Sequence, residues 1–323
     1  MRVSVIIPTY NSGHLVVDAI ASALAQTRAP AEVVVVDDGS ADDTRERLAT
    51  FGPPVRYVYQ ENAGVAAARN RGLSKSHSEL IAFLDADDVW HPRKLECQVR
   101  ALDDNPDLGL VGTAAIDWPA ESFPAMEHLP APPLTRVRWN DFVVRNPFVT
   151  SSVVVRRQIL ERVGEFDTAL QGPEDFDLWL RVAREAEVAN LPLPLTGYRD
   201  VAGSLGKQAV TMEAGTRRIL EKLAAGGAFR GKPFLRRKAW SYLYFSCGYM
   251  HGAAGNPTRA LRMMLKSFLT YPIPYRSHEV RVPLARVRLF ARTAVRAVAH
   301  WRTNTNNGDF ARPSVSRKGL VNP

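Results

Sequence analysis

Three acidic groupings hold the residue types that could do chemistry in this 323-residue chain. Asp85-Ala86-Asp87-Asp88 directly follows an apolar run at 80–84. Three carboxylates within four residues repel one another unless a cation neutralises them, and hard divalent ions such as Mg²⁺ or Mn²⁺ take oxygen ligands. Asp37 and Asp38 close a second apolar run, Val33-Val34-Val35-Val36. Ligands of open α/β sheets bind beyond the carboxyl ends of the strands, so the two groupings are expected to face one crevice. The third is Gly172-Pro173-Glu174-Asp175-Phe176-Asp177, where Gly-Pro leads into a helix whose first turn carries three acids. Such acids complement a helix dipole, or one of them serves as general base toward a hydroxyl nucleophile. Ser40 and Asp43 have the spacing of a capping box, which is the preferred reading for that pair.

The elements that must position these residues alternate in type. Residues 3–7 and 32–36 are β-branched runs suited to strands buried on both faces, and Val16, Ile20, Ala23 and Leu24 recur between them at helical spacing. Further strands are expected at 55–59, 80–84, 108–114 and 152–155, and helices at 63–73 and 92–102. The sum is a mostly parallel α/β sheet flanked by helices, in the style of nucleotide-binding folds. A helix starting near Gly64 could aim N–H groups at an anion, with Arg69 or Arg71 meeting a phosphate, although its small residues equally permit close packing. Residues 117–135 read as a long loop of the kind that either binds something or is disordered, and 112–150 as the region shaping an acceptor. After about Gly203 the pattern is all helical, with a hairpin over 240–271 that breaks at Gly255-Asn256-Pro257 and a last helix over 284–301. That gives a catalytic domain over 1–205, a basic helical region over 206–301 and a disordered polar tail over 302–323.

Composition narrows the classes. With 46% hydrophobic and 23% charged residues the chain is neither disordered throughout nor polytopic in a membrane. Pro8, Asn11 and Gly13 interrupt the first apolar run, against a signal peptide, so a cytoplasmic location is expected. Cys97 and Cys247 have no CxxC partner and suggest no disulfide framework. The net charge of +9 is divided: residues 1–205 carry 20 basic and 29 acidic side chains, residues 206–323 carry 22 and 4. The basic part implies an anionic neighbour. On the last helix Val287, Ala291, Ala294, Val298 and Trp301 share a face with Arg288, Arg292 and Arg296 beside it, which fits either an anionic membrane surface or packing of the apolar face on the catalytic domain with the arginines solvated, while no nucleic-acid module accompanies the charge.

Five blocks in order, Val3-Ser-Val-Ile-Ile-Pro-Thr-Tyr-Asn11, DDGSADDT at 37–44, NAGVAAARNRGL at 62–73, FLDADDVWHPRKLE at 83–96 and GPEDFDLWLR at 172–181, resemble the family 2 glycosyltransferases of GT-A fold. The likeness covers about residues 3–185. It implies inverting transfer of a sugar from a nucleotide diphosphate donor, usually UDP-linked, to an acceptor hydroxyl, with a divalent cation, Mn²⁺ or Mg²⁺. It implies that Pro8, Tyr10 and Asp38, with Asp37 beside them, contact the base. Asp87 and Asp85 become the metal pair, Asp85 nearer the donor's ribose or sugar, and Asp175 becomes the catalytic base next to Glu174. Arg69 is expected to bind donor. The chain lacks the Gln-x-x-Arg-Trp motif of processive synthases, consistent with addition of one or a few sugars. The expected setting is cell-surface polysaccharide or glycolipid synthesis, with a lipid-linked acceptor and peripheral attachment at the inner face of the cell membrane. A sugar nucleotidyltransferase would need a Gly-rich phosphate loop, which Pro8 to Gly13 does not form, and intact Asp85, Asp87 and Asp175 argue against an inactive nucleotide- or membrane-binding adaptor.

Overall fold

The computed structural model describes residues 1–125, 134–201, 208–275 and 284–306, with side chains of the last helix described as far as 295. The chain divides into two compact units, Met1–Leu243 and Tyr244–Pro323.

The first unit is built on one sheet of nine strands in the order β3-β2-β1-β4-β8-β6-β9-β5, with β5 over Val89–Trp90 at one end and β7 paired to β9. Strands β1 (Val3–Thr9), β2 (Glu32–Asp37), β3 (Val55–Tyr59) and β4 (Leu80–Phe83) run parallel to one another, so the chain leaves all four at the same edge. The expected runs become strands because both faces are covered. Val5, Ile7, Val33 and Val35 pack with Val16 and Ile20 of α1 (Gly13–Leu24). On the other face Val34 and Val36 meet Ala68 of α3 (Val65–Lys75). A side chain at Gly72 would place its Cβ 2.4 Å from Ile6 Cγ2, so the small residues of α3 are what allow it to lie this close to β1.

Beyond β4 the sheet becomes mixed. Strand β8 (Val154–Arg156) lies antiparallel between β4 and β6 (Leu108–Trp118), and β6 pairs parallel with β9 (Glu187–Arg199). Nothing in the sequence reading anticipated β9, because Pro192 and Pro194 break its alternation. The register shifts between Thr113, Ala114 and Ala115 lie opposite this stretch and absorb the prolines as bulges. Part of the expected 117–135 loop is strand: β6 runs to Trp118 and β7 takes Thr135–Arg136, while 126–133 lie outside the described residues.

The boundary expected at 205 falls too early. Helix α8 (Ala209–Ala225) belongs to the first unit because it backs α7 (Glu174–Glu185): Lys222 Nζ is 2.9 Å from Asp177 Oδ1, and Arg218 donates to the Ala169 carbonyl at 3.0 Å. The unit continues into α9 (Pro233–Ala253), and Arg217 of α8 lies over the Trp240 ring at 5.7 Å. In the second unit the expected hairpin is present. After the end of α9 the chain turns at Gly255 (φ +79°) and enters α10 (Pro257–Thr270) with proline in its first turn, and Gly248 receives the Met264 side chain. Helix α11 (Ala285–Asn306) extends past the expected end at 301, and 307–323, most of the expected disordered tail, lie outside the described residues.

Candidate active site at the carboxyl edge of the sheet

The edge where β1, β2 and β4 end carries the first two acidic groupings, and α7 brings the third to it. Tyr10, 52% exposed, follows β1, while Pro8 is buried within that strand beside Val36. Next to Tyr10, Asn11 donates its backbone N–H to Ser40 Oγ and accepts from Ala41 N at 2.8 Å, joining the end of β1 to the loop after β2.

That loop corrects one expectation. No capping box forms: Ser40 is occupied by Asn11, Asp43 pairs with Arg47, and Asp42 takes the N–H groups of Gly13 and Thr44. The carboxylates of Asp37 and Asp38 accept bonds from the protein itself. Asp37 accepts from Ser40 N and Tyr57 Oη, both at 2.8 Å, and the Gly39 between them sits at φ +82°, with Asn62 N where a Cβ would project. Burial together with the bond to Asp37 pushes the Tyr57 hydroxyl well above its ordinary range. Asp38, 4% exposed, accepts from Gln60 Nε2 at 2.7 Å and from Ala63 N and Gly64 N at 2.9 Å. The anion at the amino end of α3 is therefore the protein's own Asp38.

The aspartates after β4 are arranged differently. Asp88, 1% exposed, accepts from Ser151 Oγ and from Arg199 N at 3.0 Å; burial first, then Asp85 and Asp87, raise its carboxyl well above the usual range. It is thereby withdrawn from the expected trio. Asp85 and Asp87 remain half-buried at the opening. Burial and then the charge of Asp85 push Asp87 up to about 6. Among the described residues no three His, Cys, Asp or Glu side chains converge to hold a metal. A pair of carboxylates without a third suits Mg²⁺ or Mn²⁺ that completes its shell with phosphate oxygens and water rather than a cage made of protein alone.

Arg69 joins this pair to α7. Only 3% exposed, it donates through one nitrogen to Asp85 Oδ1 at 2.6 Å and through the other to Glu174 Oε1. Its guanidinium lies 5.4 Å from the Phe166 ring centroid, and Phe166, Phe83 and Trp179 pack edge to face or tilted beneath it. Asn70 clamps the Phe166 backbone with two bonds of 2.9 Å. Arg69, expected to meet a phosphate, is bonded to two carboxylates, and Arg71 is exposed.

In the first turn of α7 the three acids separate by partner. Glu174 is buried on Arg69, Asp177 is buried on Arg181 and Lys222, and Asp175 keeps one oxygen between Asn146 Nδ2 and Thr150 Oγ1, both at 3.2 Å. Its other oxygen accepts from Phe176 N at 2.6 Å. Burial first, then the charge of Glu174, raises the Asp175 carboxyl above its ordinary value, while Arg69 opposes the shift. A carboxylate with a raised proton affinity and one weakly held oxygen is equipped to accept a proton. The sequence reading missed Asn146, Thr150 and Ser151, which hold Asp175 and Asp88; they lie in an irregular segment with no periodic pattern.

Known proteins resemble this chain in sequence and in fold. The model for glycosyl transferase family 2 matches residues 4–164. The UDP-Glc:alpha-D-GlcNAc-diphosphoundecaprenol beta-1,3-glucosyltransferase WfgD of Escherichia coli is 31% identical over 189 residues, covering 58% of this chain and 72% of WfgD. Uncharacterized glycosyltransferases of Rickettsia conorii and Rickettsia prowazekii are 34% and 32% identical over 58% of this chain, but the match covers 32% and 60% of their lengths, so the chain spans less than two thirds of these relatives. Among solved structures, S. aureus TarS 1-349 in complex with UDP-GlcNAc superposes with TM-score 0.57 at 16% identity, over 84% of this chain and 89% of TarS. The mannosyltransferase PcManGT from Pyrobaculum calidifontis, in complex with GDP-Man and Mn²⁺, gives 0.59 at 22% identity over 94% and 83%. Both share the GT-A arrangement described above. With the family's model lying across the strands that carry the acids, and a relative matched over most of its length, this chain belongs to glycosyl transferase family 2.

Proposed function

We propose that the chain is an inverting glycosyltransferase that moves a sugar from a nucleotide diphosphate donor, UDP-linked in the first instance, to an acceptor hydroxyl. The observation that carries the reading is the Arg69 bridge. One buried guanidinium spans Asp85, at the donor edge of the sheet, and Glu174, whose neighbour Asp175 keeps one oxygen on two long contacts of 3.2 Å. Donor chemistry and proton removal are thereby fixed against each other on rigid elements.

In this account Tyr10 and Pro8 flank the base. Asp37 and Asp38 act on it through the 39–64 loops they hold, in place of the direct accepting contact that the resemblance implies. Asp87 and Asp85 would hold a divalent cation, Mn²⁺ or Mg²⁺, which would supply positive charge for the departing diphosphate, a Lewis-acid role worth several kcal/mol. Asp175 takes the acceptor proton as the new glycosidic bond forms, a contribution of about 10² to 10⁴ in rate. Base and leaving group on opposite sides of the sugar give inversion. Glu174 and Arg69 touch neither substrate; they position Asp175 and Asp85. The WfgD name supports a lipid-linked acceptor, as in cell-surface polysaccharide or glycolipid synthesis, met at the inner face of the cell membrane.

A thermal-shift panel of UDP- and GDP-sugars with and without Mn²⁺ tests the reading. A cation-dependent rise with at least one donor is expected, because ligand that binds only the folded state stabilises it. Equal shifts in excess chelator would remove the metal from the account.

A further inference from the structure

We infer that the outward faces of α10 and α11 form a docking surface for an anionic phospholipid bilayer. The inward faces are fixed first. On α10, Ala260, Met263, Met264 and Ser267 are buried. On α11 the buried residue that sets the rotation is Arg286, 4% exposed: its two terminal nitrogens donate to the carbonyls of Tyr271 and Ile273 at 2.6 Å, and its guanidinium stacks over Tyr275 and Phe268 at 4.3 and 4.9 Å. Phe290 meets Phe268 edge-on at 5.7 Å, and Thr293 is buried one turn later.

With those faces turned inward, helical spacing forces a second set outward. On α11 these are Leu284 just before its first turn, Val287, Arg288, Ala291, Arg292 and Val295, all exposed, with Val295 at 71%. On α10 they are Arg262, Leu265, Lys266 and Leu269, the last 77% exposed. A single exposed leucine means nothing. Here, however, aliphatic side chains recur three and four residues apart on two helices of one unit, each beside a basic side chain. Among the described side chains of the two helices the exposed charged ones, Arg259, Arg262, Lys266, Arg288 and Arg292, are all basic, whereas an ordinary solvated face mixes both signs.

That chemistry names its occupant. Aliphatic groups enter the boundary between headgroups and acyl chains, while arginine and lysine meet lipid phosphates. Nucleic acid would use the charge but leaves the exposed aliphatics without a role. No described helix is long and apolar enough to cross a membrane, so the contact lies in the interface. The inference draws its purpose from the lipid-linked acceptor proposed above, but its test needs no sugar transfer.

The test is co-sedimentation of the full chain with vesicles of mixed phosphatidylglycerol and phosphatidylcholine, with vesicles of phosphatidylcholine alone, and with a short DNA duplex as competitor. Binding to the anionic vesicles at low salt, weakened by high salt, is expected. Either double variant, Leu269→Glu with Val295→Glu or Arg288→Glu with Arg292→Glu, should lower it about tenfold or more, since each basic residue near anionic lipid contributes on the order of 1 kcal/mol. These positions are exposed, so both variants should retain the wild-type melting temperature and nucleotide-sugar shift, which separates a failed surface from a failed catalytic reading. No binding to anionic vesicles, equal binding to neutral ones, full displacement by DNA, or an undiminished Leu269→Glu, Val295→Glu variant would each overturn the inference.

Discussion

The aspartates after β2 and those after β4 look alike in sequence and behave oppositely in the fold. Asp37 and Asp38 receive five hydrogen bonds from groups of the protein itself, three of them from backbone N–H, so their charge is solvated internally. Asp85 and Asp87 stand at the opening, with Asp85 balanced on one side by Arg69 and Asp87 held in a state that favours its proton. An acidic pair at the end of a parallel strand therefore does not identify a cation site. The two pairs differ in how far groups of the protein itself occupy their oxygens.

Neutralising each pair in turn breaks the comparison most strongly. Asp87→Asn should abolish turnover and remove the cation dependence of donor binding without loss of melting temperature, as read by a coupled nucleotide-release assay and calorimetry. Arg69→Gln comes next, because it leaves Glu174 buried without its charge partner. Removing one member of a buried pair costs about 3 to 5 kcal/mol, to be measured by urea unfolding. If the variant folds, the rise of kcat with pH should move to higher pH, because Arg69 is the group that lowers the proton affinity of Asp175. A purely structural role would leave that profile in place.

Asp38→Asn should cost about 1 to 3 kcal/mol, since an amide group then faces N–H donors that a carboxylate had satisfied. It should weaken donor binding only through the loop at Gln60 to Gly64. The smallest effect sharpens the contrast. Asp87, raised to about 6, gives its full contribution to stability below the ordinary carboxylate range and loses it as pH rises through about 6. Without metal, Asp87→Asn should therefore melt above the wild type by a margin that grows between about pH 4 and pH 7, and Mn²⁺ with a nucleotide should close the gap. A margin independent of pH would mean that Asp87 is already ionised and unstrained.

The strands of the first half were legible because β-branched runs buried on both faces have no other stable use, and the acidic groupings stood out because each ended such a run or opened a helix. The partners of those acids were not legible. Arg69 reads equally well as a phosphate ligand from sequence, and nothing in the sequence announces its burial between Asp85 and Glu174. Nor could sequence show that Asp88 turns away to Ser151, which lies 63 residues along the chain. Strand β9 was hidden by two prolines, and the boundary near 205 was misplaced because the charge shifts there while packing does not: α8 is basic yet sits on the acid-bearing helix.

The central claim is that Asp175 acts on the reacting hydroxyl while Asp85 and Asp87 serve the donor. Donor affinity and turnover measured together on Asp175→Asn, at saturating Mn²⁺, test it most directly. The account predicts a donor dissociation constant within a few-fold of wild type and a turnover number lower by about a hundredfold or more. Turnover within a few-fold of wild type, or a loss that appears entirely in donor affinity, would contradict it.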